Sequence, residues 1–209
     1  MSQLTFWRRI WLLPLSLSGL GGATLPSSAS DADPAVDAIV KELSPPELTR
    51  SFKSRGLSVI RDEEIPSSTV SDVSVNGVGL FALGSHELTD KGRAALNNYV
   101  KAFNTRSLKP YTFLIIGHAS KDGSPSFNWE LSQRRAEAAR QFIIGGGNGG
   151  QPVDPSRILI AWRGSDELAN AFNPNAPENR RFVIKFCGRT SQDERWQQCE
   201  RIMSRSAVQ

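Results

Sequence analysis

The chain has 209 residues, 39% of them hydrophobic and 22% charged, which suits one globular domain or at most two small ones. That composition excludes a polytopic membrane protein, a coiled coil and a collagen-like chain. The formal charge of +4 falls to +2 once Arg8 and Arg9, the only charges of residues 1–29, are set aside; no clustered excess of Lys and Arg remains as a nucleic-acid footprint.

Residues 1–29 read as a secretory signal peptide. Arg8 and Arg9 form a positive n-region, Ile10 to Leu20 a short apolar run containing Pro14, and Ser27-Ser28-Ala29 a small-residue cleavage site. The run has 11 residues, whereas a spanning helix needs ~20. No Cys stands near the cleavage site to carry a lipid, and Ser2 is not the glycine that myristoylation requires.

Residues 30–72 are rich in Ser, Pro, Asp and Glu, and read as a flexible or loosely packed arm with one short helix at Pro34–Leu43. Alternation from Val73 to Phe81 predicts a strand. A helix then opens near Leu88 with Thr89 as N-cap and Leu96, Tyr99, Val100 and Phe103 on one face. The apolar run Pro110–Gly117 predicts a strand buried on both faces. After a loop at 119–127, a second helix is expected from Asn128, its N-cap, to Ile144, where the glycines of 145–150 stop it. Leu131, Ala138, Ala139 and Phe142 mark its buried stripe, with Asn128, Ser132 and Arg135 along the border. Strands at 157–162 and 180–186 follow, the second with Phe182, Ile184 and Phe186 on one face. A polar helical tail is expected over 191–205. The order β-α-β-α-β-β predicts an α/β (α+β) two-layer sandwich: a mixed four-stranded sheet with helices on one face.

Cys187 and Cys199 are the only cysteines, 12 apart. In an exported chain they can close a small loop as a disulfide, and the alternative is two independent thiols. Without a nearby histidine they make no zinc site. His118, Asp122 and Ser132 lie close in sequence, yet Ser132 sits within a helix rather than on a G-x-S-x-G elbow. The glycine run 145–150 lacks a phosphate-loop ending. No catalytic residue, metal or cofactor is expected.

From spacing alone, Arg135 reads as a snorkelling or surface-paired side chain. The succession Ile115-Ile-Gly-His118, Asn128-x-x-Leu-Ser-x-x-Arg-Ala136 and Glu178-Asn-Arg-Arg-Phe-Val-Ile184 nevertheless resembles the OmpA-like peptidoglycan-associated domain. The resemblance covers roughly 75–187 and bounds a domain at 73–187, with 188–209 as a tail. It implies a non-catalytic envelope protein of the periplasm, associated with the outer membrane or cell wall. Such a protein grips peptidoglycan through the diaminopimelate of its stem peptide and serves outer-membrane or envelope-complex proteins. By the same resemblance Arg135 is the carboxylate clamp, Asn128 a neighbouring hydrogen-bonding group, and one of Arg180 and Arg181 supports the rim. The inward phase of Phe182 puts Arg180 on the core-facing side and Arg181 opposite. The family acid is replaced by Ser120, and the polar pair after the first strand by Ala82 and Gly84. Asp122 and Glu130 are the acids nearby. The alternative is a scaffold module that has lost peptidoglycan binding.

Overall fold

The computed structural model describes residues 33–44, 73–75 and 80–206, so the expected leader and most of the arm lie outside the described residues. Pro34–Leu43 form helix α1, begun by Pro34 and capped by Asp33, whose carboxylate accepts from the Ala35 N–H at 3.1 Å. Val36, Ile39, Val40 and Leu43 make an i, i+3, i+4, i+7 stripe that joins the main core. Over these residues the arm is packed rather than loose.

Val73–Val75 form β1. Only the start of the expected 73–81 strand is described as strand; Phe81 makes an isolated bridge with Leu88. Helix α2 spans Asp90–Phe103 with Thr89 as its cap, accepting from the Gly92 N–H at 3.0 Å. Strand β2 is Thr112–Gly117, helix α3 Pro125–Ile144, and strand β3 Ile158–Trp162. Strand β4 is Phe182–Gly188 and helix α4 Glu194–Ser206.

The sheet order is β1-β4-β2-β3. Strands β2 and β3 run parallel, as a crossover through α3 requires, and β4 runs antiparallel to both β2 and β1. Alternation along the strands sorts side chains between two cores. Phe113, Ile115, Phe182 and Ile184 pack with Val100, Phe103, Ala139 and Ile143 of α2 and α3. Leu114, Ile116, Ala161 and Val183 point the other way. The two core helices thus share one face, as expected, and the C-terminal helix covers the second. It does so because Trp196, Cys199, Ile202 and Met203 form an apolar stripe on an otherwise polar helix. A Cys187–Cys199 disulfide, with Cα atoms 5.9 Å apart, fastens that layer to β4.

Candidate binding site

Helix α3 begins at Pro125, and Ser124 caps it by accepting from the Phe127 N–H at 3.2 Å. Asn128 is therefore not the cap: proline suits the first helical position, which moves the start forward by one turn. The Asn128 amide is buried and donates to the Gly123 carbonyl at 3.1 Å and the Ser165 hydroxyl at 3.5 Å. Asn128, Ser132 and Arg135 lie on the buried stripe itself, while Ala138 and Phe142 are only partly buried. The cause is a close approach at Gly117, where a side chain would strike the Ser132 carbonyl and the Ala136 methyl. The Ser132 hydroxyl accepts from the Gly164 N–H at 2.9 Å and donates to the Trp129 carbonyl at 2.8 Å, knitting α3 to the β3 end.

Arg135 is 0% exposed. Its Nε donates to the Ser85 carbonyl at 2.9 Å, its Nη2 to Ala82 at 3.3 Å and its Nη1 to His118 at 3.5 Å. The guanidinium lies over the Phe81 ring, 5.2 Å from its centroid. Burial, and then the charge of Arg180, push its pKa down to about 10, against a pull from Asp122. Arg135 therefore stays cationic at neutral pH.

Asp122 completes the centre. Its carboxylate accepts from the Ser120 hydroxyl at 2.5 Å and stands 3.8 Å from the Arg180 guanidinium. Glu130, the other acid in sequence range, pairs with Arg134 at 2.5 Å on the exposed side of α3. Asp122 thus pairs with Arg180 and acts through space on Arg135 at one end of the sheet, the three coming from different segments.

This centre lies within residues 80–181, the stretch that the OmpA family model matches. Over those residues the chain is OmpA-like. The chain is 24% identical over 128 residues to outer membrane protein A of Bordetella avium, covering 60% of this chain and 62% of that protein. It is 29% identical over 100 residues to outer membrane protein A of Yersinia pseudotuberculosis, covering 48% of this chain and 26% of the other. The match therefore spans less than two thirds of either relative. Among solved structures, the chain is similar to the OmpA-like domain of FopA1 from Francisella tularensis, with 20% identity, a TM-score of 0.44, and 56% and 80% of the two chains covered. It is likewise similar to the periplasmic domain of Helicobacter pylori MotB, with 16% identity, a TM-score of 0.49, and 64% and 91% covered.

Two features of the OmpA-like domain escape a reading of the sequence. Asn179 is wholly buried: its Nδ2 donates to the carbonyls of Asn170, Asn173 and Pro174, and its Oδ1 accepts from the Asn170 N–H at 2.8 Å. It pins the 170–179 loop and thereby delivers Arg180. The Asn-Arg-Arg string marks this position in the sequence, but not the loop that its amide holds. On the α4 face, Arg181, His118 and Arg163 form a buried row across three strand ends. Arg181 is opposite Arg180, as its phase predicts, but it is the more buried of the two. Its Nη2 donates to the Glu167 carbonyl at 3.2 Å. Arg163 donates to the Ser206 hydroxyl at 2.8 Å and the Ile202 carbonyl at 2.7 Å, anchoring the end of α4. Its signal was alternation: Arg163 continues the face of Leu159 and Ala161. Burial first, then Arg181 and Arg163, drive the His118 pKa down to about 3. Among the described residues no group of acids, histidines and cysteines is placed to hold a metal, and no helix is long and apolar enough to cross a membrane.

Proposed function

We propose that the OmpA-like domain is a non-catalytic module that holds peptidoglycan at the Arg135–Asp122–Arg180 centre. The observation that carries this is a buried guanidinium at the sheet end where Asp122 pairs with Arg180 and acts on Arg135 through space. Diaminopimelate presents a carboxylate and an ammonium on one carbon, and those charges ask for that pair. Arg135 takes the carboxylate. Asp122, steadied by Ser120 and Arg180, supplies the charge for the ammonium. Asn128 holds the Gly123 carbonyl and so sets the loop that carries both. The turn at 82–85 covers Arg135 through two of its carbonyls, so entry requires that turn to lift. Gly84, with a φ of 67° and open space around it, is where it bends. On this reading the protein works in the periplasm, against the wall or outer membrane, with envelope-complex proteins as its partners.

One observation favours the scaffold reading: every hydrogen bond described for the Arg135 guanidinium goes to a backbone carbonyl, as in a purely structural staple. Sedimentation with isolated sacculi separates the two. The wall reading expects wild-type protein in the pellet and Arg135→Lys, which keeps the charge but loses the fork, largely in the supernatant. Wild-type protein that remains in the supernatant leaves the scaffold reading.

A further inference from the structure

Among the described residues three large hydrophobic side chains are exposed: Leu83 at 67%, Phe127 at 47% and Phe172 at 105%. Single exposed apolar residues need no explanation. These three are not scattered, because each stands on a segment that frames the charged centre. Leu83 lies between Ala82 and Ser85, whose carbonyls hold Arg135. Phe127 lies against Gly123, the neighbour of Asp122; a Cβ on that glycine would come within 2.6 Å of the Phe127 ring. Phe172 belongs to the loop whose Pro174 carbonyl accepts from the Lys121 N–H at 3.0 Å and whose Asn175 carbonyl accepts from Arg180 at 3.4 Å. Asn179 holds that loop by three hydrogen bonds from one amide, so its fixed course carries Phe172 outward.

We propose that this rim is the carbohydrate subsite of the same surface: Phe127 and Phe172 lie against the sugar rings of the glycan strand while the stem peptide enters the charged centre. The proposal rests on the peptidoglycan reading of that centre. A zwitterionic group is held chiefly by charged and polar contacts, and its ammonium could use one aromatic face, which leaves a second exposed ring unaccounted for. An amino sugar offers an apolar C–H face with polar edges, and a flat ring can cover that face and exclude water from it. In the polymer, sugar is the chemistry one short peptide away from the charged group, and the rim residues stand on the segments that carry that centre. A lipid surface fits less well, because among the exposed charges of these loops Asp122, Asp166 and Glu167 outnumber Lys121 and would repel anionic headgroups.

The test compares two defined ligands on the full chain: a free diaminopimelate tripeptide and the same tripeptide carried on its disaccharide. Wild-type protein is expected to bind the disaccharide form about five- to tenfold more tightly. Phe127→Ala and Phe172→Ala, both at exposed positions, should lose that advantage and leave tripeptide affinity unchanged. Equal affinity of wild type for the two ligands, or an advantage kept by the double variant, overturns the carbohydrate subsite while the stem-peptide reading stands. Binding of neither ligand overturns both. Phe172-dependent sedimentation with phosphatidylglycerol vesicles would replace sugar by membrane.

Discussion

On the proposed reading Ser120 and Asp122 divide the ammonium contact between them: the hydroxyl orients the carboxylate, which carries the charge. Losing that charge should weaken retention on sacculi, and Asp122→Asn is expected to do so by roughly tenfold or more, as removal of a charged hydrogen-bond partner does. Ser120→Asp alone should not strengthen it, because a second carboxylate would stand where a hydroxyl now donates to the first. The exchange Ser120→Asp with Asp122→Ser should recover most of the binding. A gain from Ser120→Asp alone, read by the same sedimentation, would show that the two positions do not share one ligand charge. Arg135→Ala is the wrong probe here, since it takes the guanidinium donor from the Ser85 and His118 carbonyls and empties the space of a fully buried side chain.

His118 gives the residue scale its pH dependence. Its ordinary value of 6.5 drops to about 3 in the folded chain, through burial and two flanking arginines. Below pH 6.5 the unfolded chain takes up a proton that the native one refuses. The stability contributed by neutral His118 is thus complete above that pH and falls toward pH 3, by up to ~1.4 kcal/mol per pH unit. Melting temperature should decline between pH 7 and 5 more steeply for wild type than for His118→Gln; parallel declines would contradict the buried neutral imidazole. The sequence made this histidine legible as the end of a buried strand, but not its arginine neighbours, which arrive from two other strands.

At the scale of elements, local chemistry spoke clearly wherever it was unopposed. Thr89 caps α2, Pro34–Leu43 is helical from end to end, and the run before Gly117 is buried on both faces. Helix α3 was misphased because Asn128 is as good a cap in isolation as Ser124; the proline between them decides. With that start, the polar residues turn inward at Gly117, a contact between distant segments that periodicity along one helix cannot register. Helix α4 reads as a polar tail until its apolar stripe is matched to a second sheet face. The disulfide makes that layer durable: reduction should lower unfolding free energy by ~2–3 kcal/mol, measured in urea with and without reductant. Unchanged stability on reduction would mean that packing alone retains α4.

At the scale of the whole molecule, the family match ends at residue 181, yet the fold continues through β4 and α4, and α1 joins the same core from before it. The OmpA-like domain of this chain is therefore wrapped by segments on either side of the recognisable stretch. Motifs revealed its middle, because N-x-x-L-S-x-x-R-A and N-R-R carry both packing and site geometry; the wrapping has no motif and follows only from amphipathic stripes. The leader calls for a separate measurement. Intact mass of protein recovered from the periplasm should correspond to a chain beginning near Ser30, and a cytosolic chain retaining residues 1–29 would refute export.

The covered guanidinium of Arg135 also bears on time. If the 82–85 turn must open before a carboxylate can enter, it must equally open before one can leave. Association then proceeds no faster than the turn opens, so its observed rate levels off as ligand concentration rises, and the complex acquires a long residence time without needing great affinity. On the peptidoglycan reading, a hold of that kind would tolerate brief mechanical tugs between cell wall and attached protein, since a pull shorter than the opening time finds the gate shut.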